Sequence, residues 1–390
     1  MISRRSTLKA GVAALTVGGS GLVRSGSLAA HAVQVTSGPD AAGLQEVLDD
    51  IAGSAASAVL AEVRDSGQVW RGSSGVAELG SVKPVAVDGR FRAGSITKTF
   101  VATVVLQLAG ERRLRLDDTV ERWLPGVVAE GGRITLHHLL QHTSGIANYT
   151  NTREFRTLYG TADQVLGLRE RTWTPQELLE FTAGQPLLFE PGTSWMYSNT
   201  NYILLGLVIQ RVTGNHYAKE AERRLLHRLG LHGTNFPGRR SVIAGRHAHG
   251  YLPREVGDQL EPVDITRFNP SVTGASGELV STAVDLNRFY RALLTGRLLR
   301  GEQQSQLLQI RSTGRSYDYG LGLQTRMVNG VRLWGHEGDI FGYQAASWTT
   351  ADGRRQLTIS CNPWGTGDLK PLTERLLAVA FQSPGTTETP

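Results

Sequence analysis

Strand patterns in this chain are confined to its two ends, and that separation restricts its possible folds more than any other feature. Near the N-terminus, Ala58 to Arg64 and Gln68 to Val76 alternate with the period of a strand, and Asp65-Ser66-Gly67 supplies the turn between them. Strand signals return only at Leu321 to Val328, Val331 to Trp334, Phe341 to Thr349 and Gln356 to Asn362, with Asn329-Gly330 and Ala351-Asp352-Gly353 as turns. About residues 95 to 300 read as mostly helical. Thr174-Pro175-Gln176-Glu177 is a capping box with proline at the first helical position, and Thr282 opens another helix. Helical patterns at Ala41 to Ile51 and Asp368 to Phe381 bracket the strands. A hairpin and a distant meander form one antiparallel sheet only if the chain ends meet. The expectation is one composite α/β domain over residues 40–385, its sheet built from both ends and flanked by helices, with a mostly helical insertion.

The chain has 390 residues, 40% hydrophobic and 19% charged, which suits a large core and excludes a disordered or collagen-like polymer. Its single cysteine, Cys361, excludes an intrachain disulfide and a cysteine-based metal cluster. The net charge of +6 is misleading, because residues 1–32 carry Arg4, Arg5, Lys9 and Arg24 with no acid. The remainder holds 37 basic against 35 acidic residues, a balance that argues for no nucleic-acid partner and no phosphate-binding surface. Those first residues read as an export signal: paired arginines, a weakly apolar stretch from Ala10 to Val23, and Ala30-His31-Ala32 as a cleavage site. The arginine pair resembles the twin-arginine type, although Thr7 stands where phenylalanine is preferred, and an ordinary secretory signal is the alternative. Either places the mature protein outside the cytoplasm. The apolar stretch is too short to span a bilayer, so no stable membrane anchor is expected.

Several enzyme classes drop out for want of their motifs: there is no G-x-S-x-G elbow, no phosphate loop, no dinucleotide fingerprint and no H-E-x-x-H helix. His138 and His142 are four apart, as on one helical face, but lack a nearby third ligand. The informative segment is Phe91-Arg92-Ala93-Gly94-Ser95-Ile96-Thr97-Lys98, running into an apolar helix. A serine needs a base to become a nucleophile, and a lysine three residues on serves if burial keeps its amine neutral. That spacing alone is weak, since Ser6-Thr7-Leu8-Lys9 also has it. Composition sharpens the reading. Only five lysines stand against 36 arginines, so a lysine at position 98 marks a place where a permanently charged arginine would not do.

These residues, with others, resemble the serine β-lactamase and penicillin-recognising superfamily, on the branch of class C β-lactamases and secreted D-alanyl-D-alanine carboxypeptidases. Ser95-x-x-Lys98 is similar to its first motif and Tyr197-Ser198-Asn199, after Phe189-Glu190-Pro191-Gly192, to its second. His336-Glu337-Gly338 after Trp334-Gly335 is similar to the third. Leu139 to Ile146, Ala275 to Thr282 and Tyr319 to Leu323 look like further family segments. Tyr149-Thr150-Asn151 repeats the second motif without its flanks.

The resemblance implies Ser95 as nucleophile with Lys98 and Tyr197 completing the catalytic set. The tyrosine would accept or relay the serine proton, its pKa lowered by the neighbouring lysine cation. It further implies Asn199, His336, Glu337, Gly338 and Asp339 as substrate-binding, the N–H groups of Ser95 and Asp339 forming an oxyanion hole and Gly338 letting substrate approach. No cofactor and no metal are implied. Glu337 departs from the pattern, since family carboxypeptidases carry a hydroxyl there to bind a substrate carboxylate. The expectation is an exported serine hydrolase acting through an acyl-enzyme on a small molecule or peptide, with peptidoglycan fragments among the candidates. D-alanyl-D-alanine carboxypeptidase-like action comes first. Esterase, D-amino-acid amidase, β-lactamase and a non-catalytic penicillin or peptidoglycan-fragment binder are the alternatives, and the oligomeric state is left open.

Overall fold

The structure, a computed structural model, describes residues 38–365 and 367–382; the export signal expected over residues 1–32 lies outside them. The chain ends do meet. Strands β1 (Ala56–Asp65) and β2 (Gln68–Gly75) form the N-terminal hairpin, and β1 pairs antiparallel with the last strand, β11 (Arg355–Pro363), Val59 opposite Cys361. Beyond it lie β10 (Tyr343–Thr350), β9 (Val331–Ile340), β8 (Gln324–Val328) and β7 (Asp318–Tyr319), giving one seven-stranded sheet of order β2-β1-β11-β10-β9-β8-β7.

The alternation along β1 sorts its side chains onto two faces. Val59, Ala61 and Val63 pack with Leu357, Ile359 and Trp348 under helix α1 (Ala41–Ser54) and the closing helix α6 (Leu369–Ala380). Ala58 and Leu60 face the larger core, shared with the helical insertion. Central to that core is α2 (Thr97–Gly110), whose residues from Thr97 to Leu106 are all buried. A helix buried all round cannot show an amphipathic stripe, which is why the apolar run after Lys98 is its main sequence signal. Three more helices matter to the site: α3 (Leu136–Gln141), α4 (Asn199–Thr213) and α5 (Ala283–Leu294). The Thr174 capping box and the Thr282 cap both form as the sequence predicts.

Three sequence expectations shift. β8 begins at Gln324 rather than Leu321, because Gly322 turns the chain in the left-handed region at φ 75°. β9 runs on past Trp334 to Ile340, so His336, Glu337, Gly338 and Asp339 all lie on a sheet strand. Within the helical insertion, β4 (Tyr251–Val256) and β5 (Gln259–Asp264) make a separate hairpin. Its residues are mostly exposed, so no apolar alternation announced it. Two further short strands, β3 (Phe91–Arg92) and β6 (Val280–Ser281), pair at the base of the site. Among the described residues no helix is long and apolar enough to cross a membrane.

Candidate active site

Between Phe91 and Phe100 every residue is buried except Ser95, which sits in a single 3₁₀ turn, Gly94–Ile96, at the mouth of α2. Gly94 makes this turn possible: its φ is 51°, and a Cβ on it would lie 2.8 Å from the Asp339 nitrogen. Ser95 is thereby pushed against β9 from the front. One turn into the helix, the Lys98 amine reaches back to within 3.0 Å of Ser95 Oγ.

The surroundings of Lys98 decide its protonation. The side chain is wholly buried, no carboxylate faces it among the described residues, and burial holds its pKa well below the ordinary lysine value. A neutral amine has two N–H bonds and one lone pair. Two acceptors that cannot donate, Asn199 Oδ1 at 2.8 Å and the Ser276 carbonyl at 2.7 Å, take the two N–H groups. The lone pair is left for the Ser95 hydroxyl. Asn199, predicted as a contact for a substrate amide, therefore first serves to aim the lysine; its amide nitrogen rests on Thr150 Oγ1 at 3.3 Å.

Tyr197 donates from its phenol to Ser95 Oγ at 2.8 Å. Its expected electronic state needs correction. Burial of the phenol raises its pKa well above the ordinary value, against the lowering effect of the Ser95 hydrogen bond, which is the opposite direction from the expected lowering. Burial thus favours the protonated phenol, in keeping with its donation to Ser95 Oγ.

The third motif supplies a wall and a dipole. The Glu337 N–H donates across to Gln324 Oε1 at 2.9 Å, toward β8. Strand N–H groups two residues apart point the same way, so the Asp339 N–H also faces that side, past the end of β8 and toward Gly94 and Ser95. Both N–H groups predicted for an oxyanion hole are thus adjacent. Gly338 differs from expectation: a Cβ there would stand 2.0 Å from the Ala93 carbonyl, so the glycine is required by β9 packing on the serine turn rather than by substrate. His336 is buried, and burial pushes its pKa down to about 3. Its Nδ1 donates to the Glu337 carbonyl at 2.5 Å and its Nε2 accepts from the Tyr319 hydroxyl at 3.0 Å, so both ring nitrogens are spent on fixing the strand although the residue borders the groove.

A groove of about 870 Å³ opens over Ser95, lined by Asn148, Met196, Tyr197, Tyr317, Glu337 and Asp339 among others. The Glu337 side chain is 47% exposed and lies 3.7 Å from the Arg326 guanidinium, which also pairs with Glu374. Burial in the groove raises its pKa, and Arg326 opposes that. The Asp339 carboxyl is raised by burial too.

The decisive residue that sequence reasoning undervalued is His142. It is not on a shared helical face with His138. His138 caps α3, while His142 stands beyond its end in the left-handed region at φ 62°. It is fully buried, with its ring 4.4 Å from that of Tyr197. The only signal for it was its place in the Leu139 to Ile146 segment. Tyr149 of the duplicate motif is buried and bonds the Val272 carbonyl, away from Ser95.

With this geometry in place, the relatives can be read. The Beta-lactamase family model matches residues 41–381, and the chain belongs to this family, as a serine hydrolase of the β-lactamase and penicillin-binding-protein group. A D-stereospecific amidohydrolase from Streptomyces sp. superposes with TM-score 0.81 and 38% identity, covering 88% of this chain and 99% of that one. The D-amino acid amidase of Ochrobactrum anthropi SV3, complexed with L-phenylalanine amide, superposes with TM-score 0.74 and 26% identity over 87% and 97% of the two chains. Penicillin-binding protein 4* of Bacillus subtilis is 28% identical across 75% of this chain and 65% of its own length, and esterase EstB of Burkholderia gladioli 34% identical across 43% and 44%. The chain thus spans between under half and about two thirds of those two relatives.

Proposed function

We propose that the protein is an exported amidohydrolase that forms an acyl-enzyme at Ser95 and acts on amides or short peptides of D-amino acids bearing a free amine. The observation that carries the chemistry is the buried Lys98 amine, 3.0 Å from Ser95 Oγ and anchored by Asn199 Oδ1 and the Ser276 carbonyl, an arrangement that leaves the lone pair of the neutral amine to Ser95. Lys98 takes the proton as Ser95 Oγ bonds to the substrate carbonyl carbon. The developing oxyanion rests on the N–H groups of Ser95 and Asp339, a contribution of several kcal/mol in such sites. The leaving amine receives a proton from the Tyr197 phenol, the carbon–nitrogen bond breaks, and the Lys98 ammonium restores the phenol. Water then attacks the ester, returning the acid and free Ser95.

Substrate class rests on charge. Glu337 and Asp339 line the groove beside Ser95, which favours a ligand ammonium over a ligand carboxylate. Similarity to the Streptomyces amidohydrolase over nearly its whole length supports the same choice. Carboxypeptidase-like action on D-alanyl-D-alanine is the second reading, favoured by Arg326 beside Glu337 and by the penicillin-binding relatives. The discriminating measurement is kcat/KM on D-phenylalanine amide, its L-enantiomer, a D-alanyl-D-alanine peptide, a p-nitrophenyl ester and nitrocefin. The D-amide should exceed the D-alanyl-D-alanine peptide at least tenfold, and the reverse order would return the carboxypeptidase reading to first place. Export rests on Arg4 and Arg5: changing both to lysine traps the precursor if the twin-arginine route reads the pair, whereas unimpaired secretion points to the general route.

A further inference from the structure

The near-neutral charge of the chain beyond its leader conceals an uneven distribution. Two adjoining clefts, of about 490 and 280 Å³, share Arg228 and Arg297 in their walls, and the larger is lined by Gln107 and Gly110 at the C-terminal end of α2. With α2 fourteen residues long, the larger cleft stands about 20 Å from Ser95, at the opposite end of the helix. Arg228, Arg288, Arg291, Arg297 and Arg300 line these clefts, all exposed, and none has a carboxylate within ion-pair distance among the described residues. Three of them spend donors on backbone carbonyls: Arg228 on Arg297, Arg288 on Gly230 and Arg300 on Gly110. Those bonds orient the guanidinium groups and leave their charge uncompensated. The larger cleft is also lined by Arg223 and Arg224, whose charge is compensated by Glu220 and by Glu111, a carboxylate of the same cleft, so the uncompensated charge comes from the other five.

Five like charges around joined clefts raise the local potential and attract anions, and planar guanidinium forks suit phosphate oxygens. We propose that this face binds a linear polyanion carrying phosphate groups, threaded along the joined clefts, so that the catalytic groove faces away from the polymer. A chain fits better than an anionic membrane. The surface is concave, and of the leucines at the clefts Leu106, Leu298 and Leu299 are buried and Leu229 is half-buried, so no fully exposed apolar side chain is offered to lipids.

The test uses the full chain with long-chain inorganic polyphosphate, followed by fluorescence anisotropy against salt. Orthophosphate and phosphatidylglycerol vesicles serve as separate arms. The native protein should bind polyphosphate with an affinity that falls steeply as salt rises. The triple change Arg228→Gln, Arg291→Gln, Arg297→Gln should weaken binding at least tenfold. The charge-matched change Arg156→Gln, Arg267→Gln, Arg332→Gln, at exposed sites elsewhere, should weaken it less than threefold. Ester hydrolysis should be unaltered in both, which confirms folding and keeps this result separate from the proposed catalysis. Equal losses in the two variants, binding to vesicles alone, or no binding by the native chain would each overturn the proposal.

Discussion

His142 holds Tyr197 from three directions. Its carbonyl accepts the Met196 N–H at 3.0 Å, its Nδ1 accepts the Ser198 N–H at 3.2 Å, and its ring lies 4.4 Å from the phenol between them. Asn201 donates to the same Nδ1 at 3.2 Å, so the ring proton resides on Nε2, and burial keeps the imidazole neutral. The residue touches neither Ser95 nor the groove. It positions the phenol that does.

His142→Asn isolates this role, because asparagine tolerates the left-handed backbone at φ 62° while removing the ring. We expect kcat for the D-amide to fall about 10- to 100-fold, part of the ~10²–10⁴ that positioned acid–base groups contribute. KM should change less than threefold, with the acid limb of the pH profile in place, since Lys98 sets it. An unchanged kcat would mean that α4 and its approach hold Tyr197 without help.

Lys98→Arg separates a neutral base from a fixed charge. Arginine cannot offer a lone pair at any working pH, so acylation should drop ~10²-fold or more, as far as in Lys98→Ala. In the native enzyme, kcat/KM should rise with pH as the lysine loses its proton, at a pH well below that of an ordinary lysine because burial lowers the pKa. Stopped-flow acylation by a p-nitrophenyl ester from pH 5 to 9 measures both. A rate that is flat with pH, or an active arginine variant, would make Lys98 only a charge.

His336 gives a stability prediction whose sign follows from its lowered pKa. The unfolded imidazole binds a proton below about pH 6.5, and the folded one not until about pH 3. In that window the unfolded state holds the extra proton, so stability falls as pH falls, by up to ~1.4 kcal/mol per pH unit from this group. Urea unfolding at pH 7, 6 and 5 should show the decline. In His336→Asn the slope should be shallower, even though the loss of the Tyr319 bond lowers stability at pH 7. Equal slopes would assign the acid sensitivity elsewhere.

What the sequence revealed of this site was what is local. Ser95 and Lys98 fall one helical turn apart, and Tyr197 and Asn199 two residues apart, so each pair carries its own spacing. The sheet was legible because the alternating segments stood at the two ends of the chain, and the β1–β11 pairing joins the N-terminal hairpin to the C-terminal strands. What escaped was made by contacts between distant segments. His142 acts on residues 54 to 59 positions away, Gly338 is required by the Ala93 carbonyl, and the lysine clamp depends on Ser276. The arginine clefts draw on residues from Arg64 to Gln356, so no window of sequence could show them. The direction of the Tyr197 shift was likewise illegible, because burial of the phenol by distant segments sets it.

Glu337→Thr tests the residue on which substrate class turns. The carboxylate stands in the groove, 3.7 Å from Arg326, and lies on the same strand as Asp339. A substrate carboxylate brought to ~4 Å from it would meet a repulsion of ~1 kcal/mol in water and ~4 at an effective dielectric near 20. Replacement by threonine removes that repulsion, restores a hydroxyl donor and leaves Arg326 one acidic neighbour fewer. The ratio of kcat/KM for a D-alanyl-D-alanine peptide to that for D-phenylalanine amide should rise at least tenfold, with most of the change in the peptide. Both substrates are measured at one pH and ionic strength in native and variant protein. A ratio that stays level would show that Arg326 already neutralises Glu337, and the preference for an amine-bearing substrate would then rest on Asp339 alone.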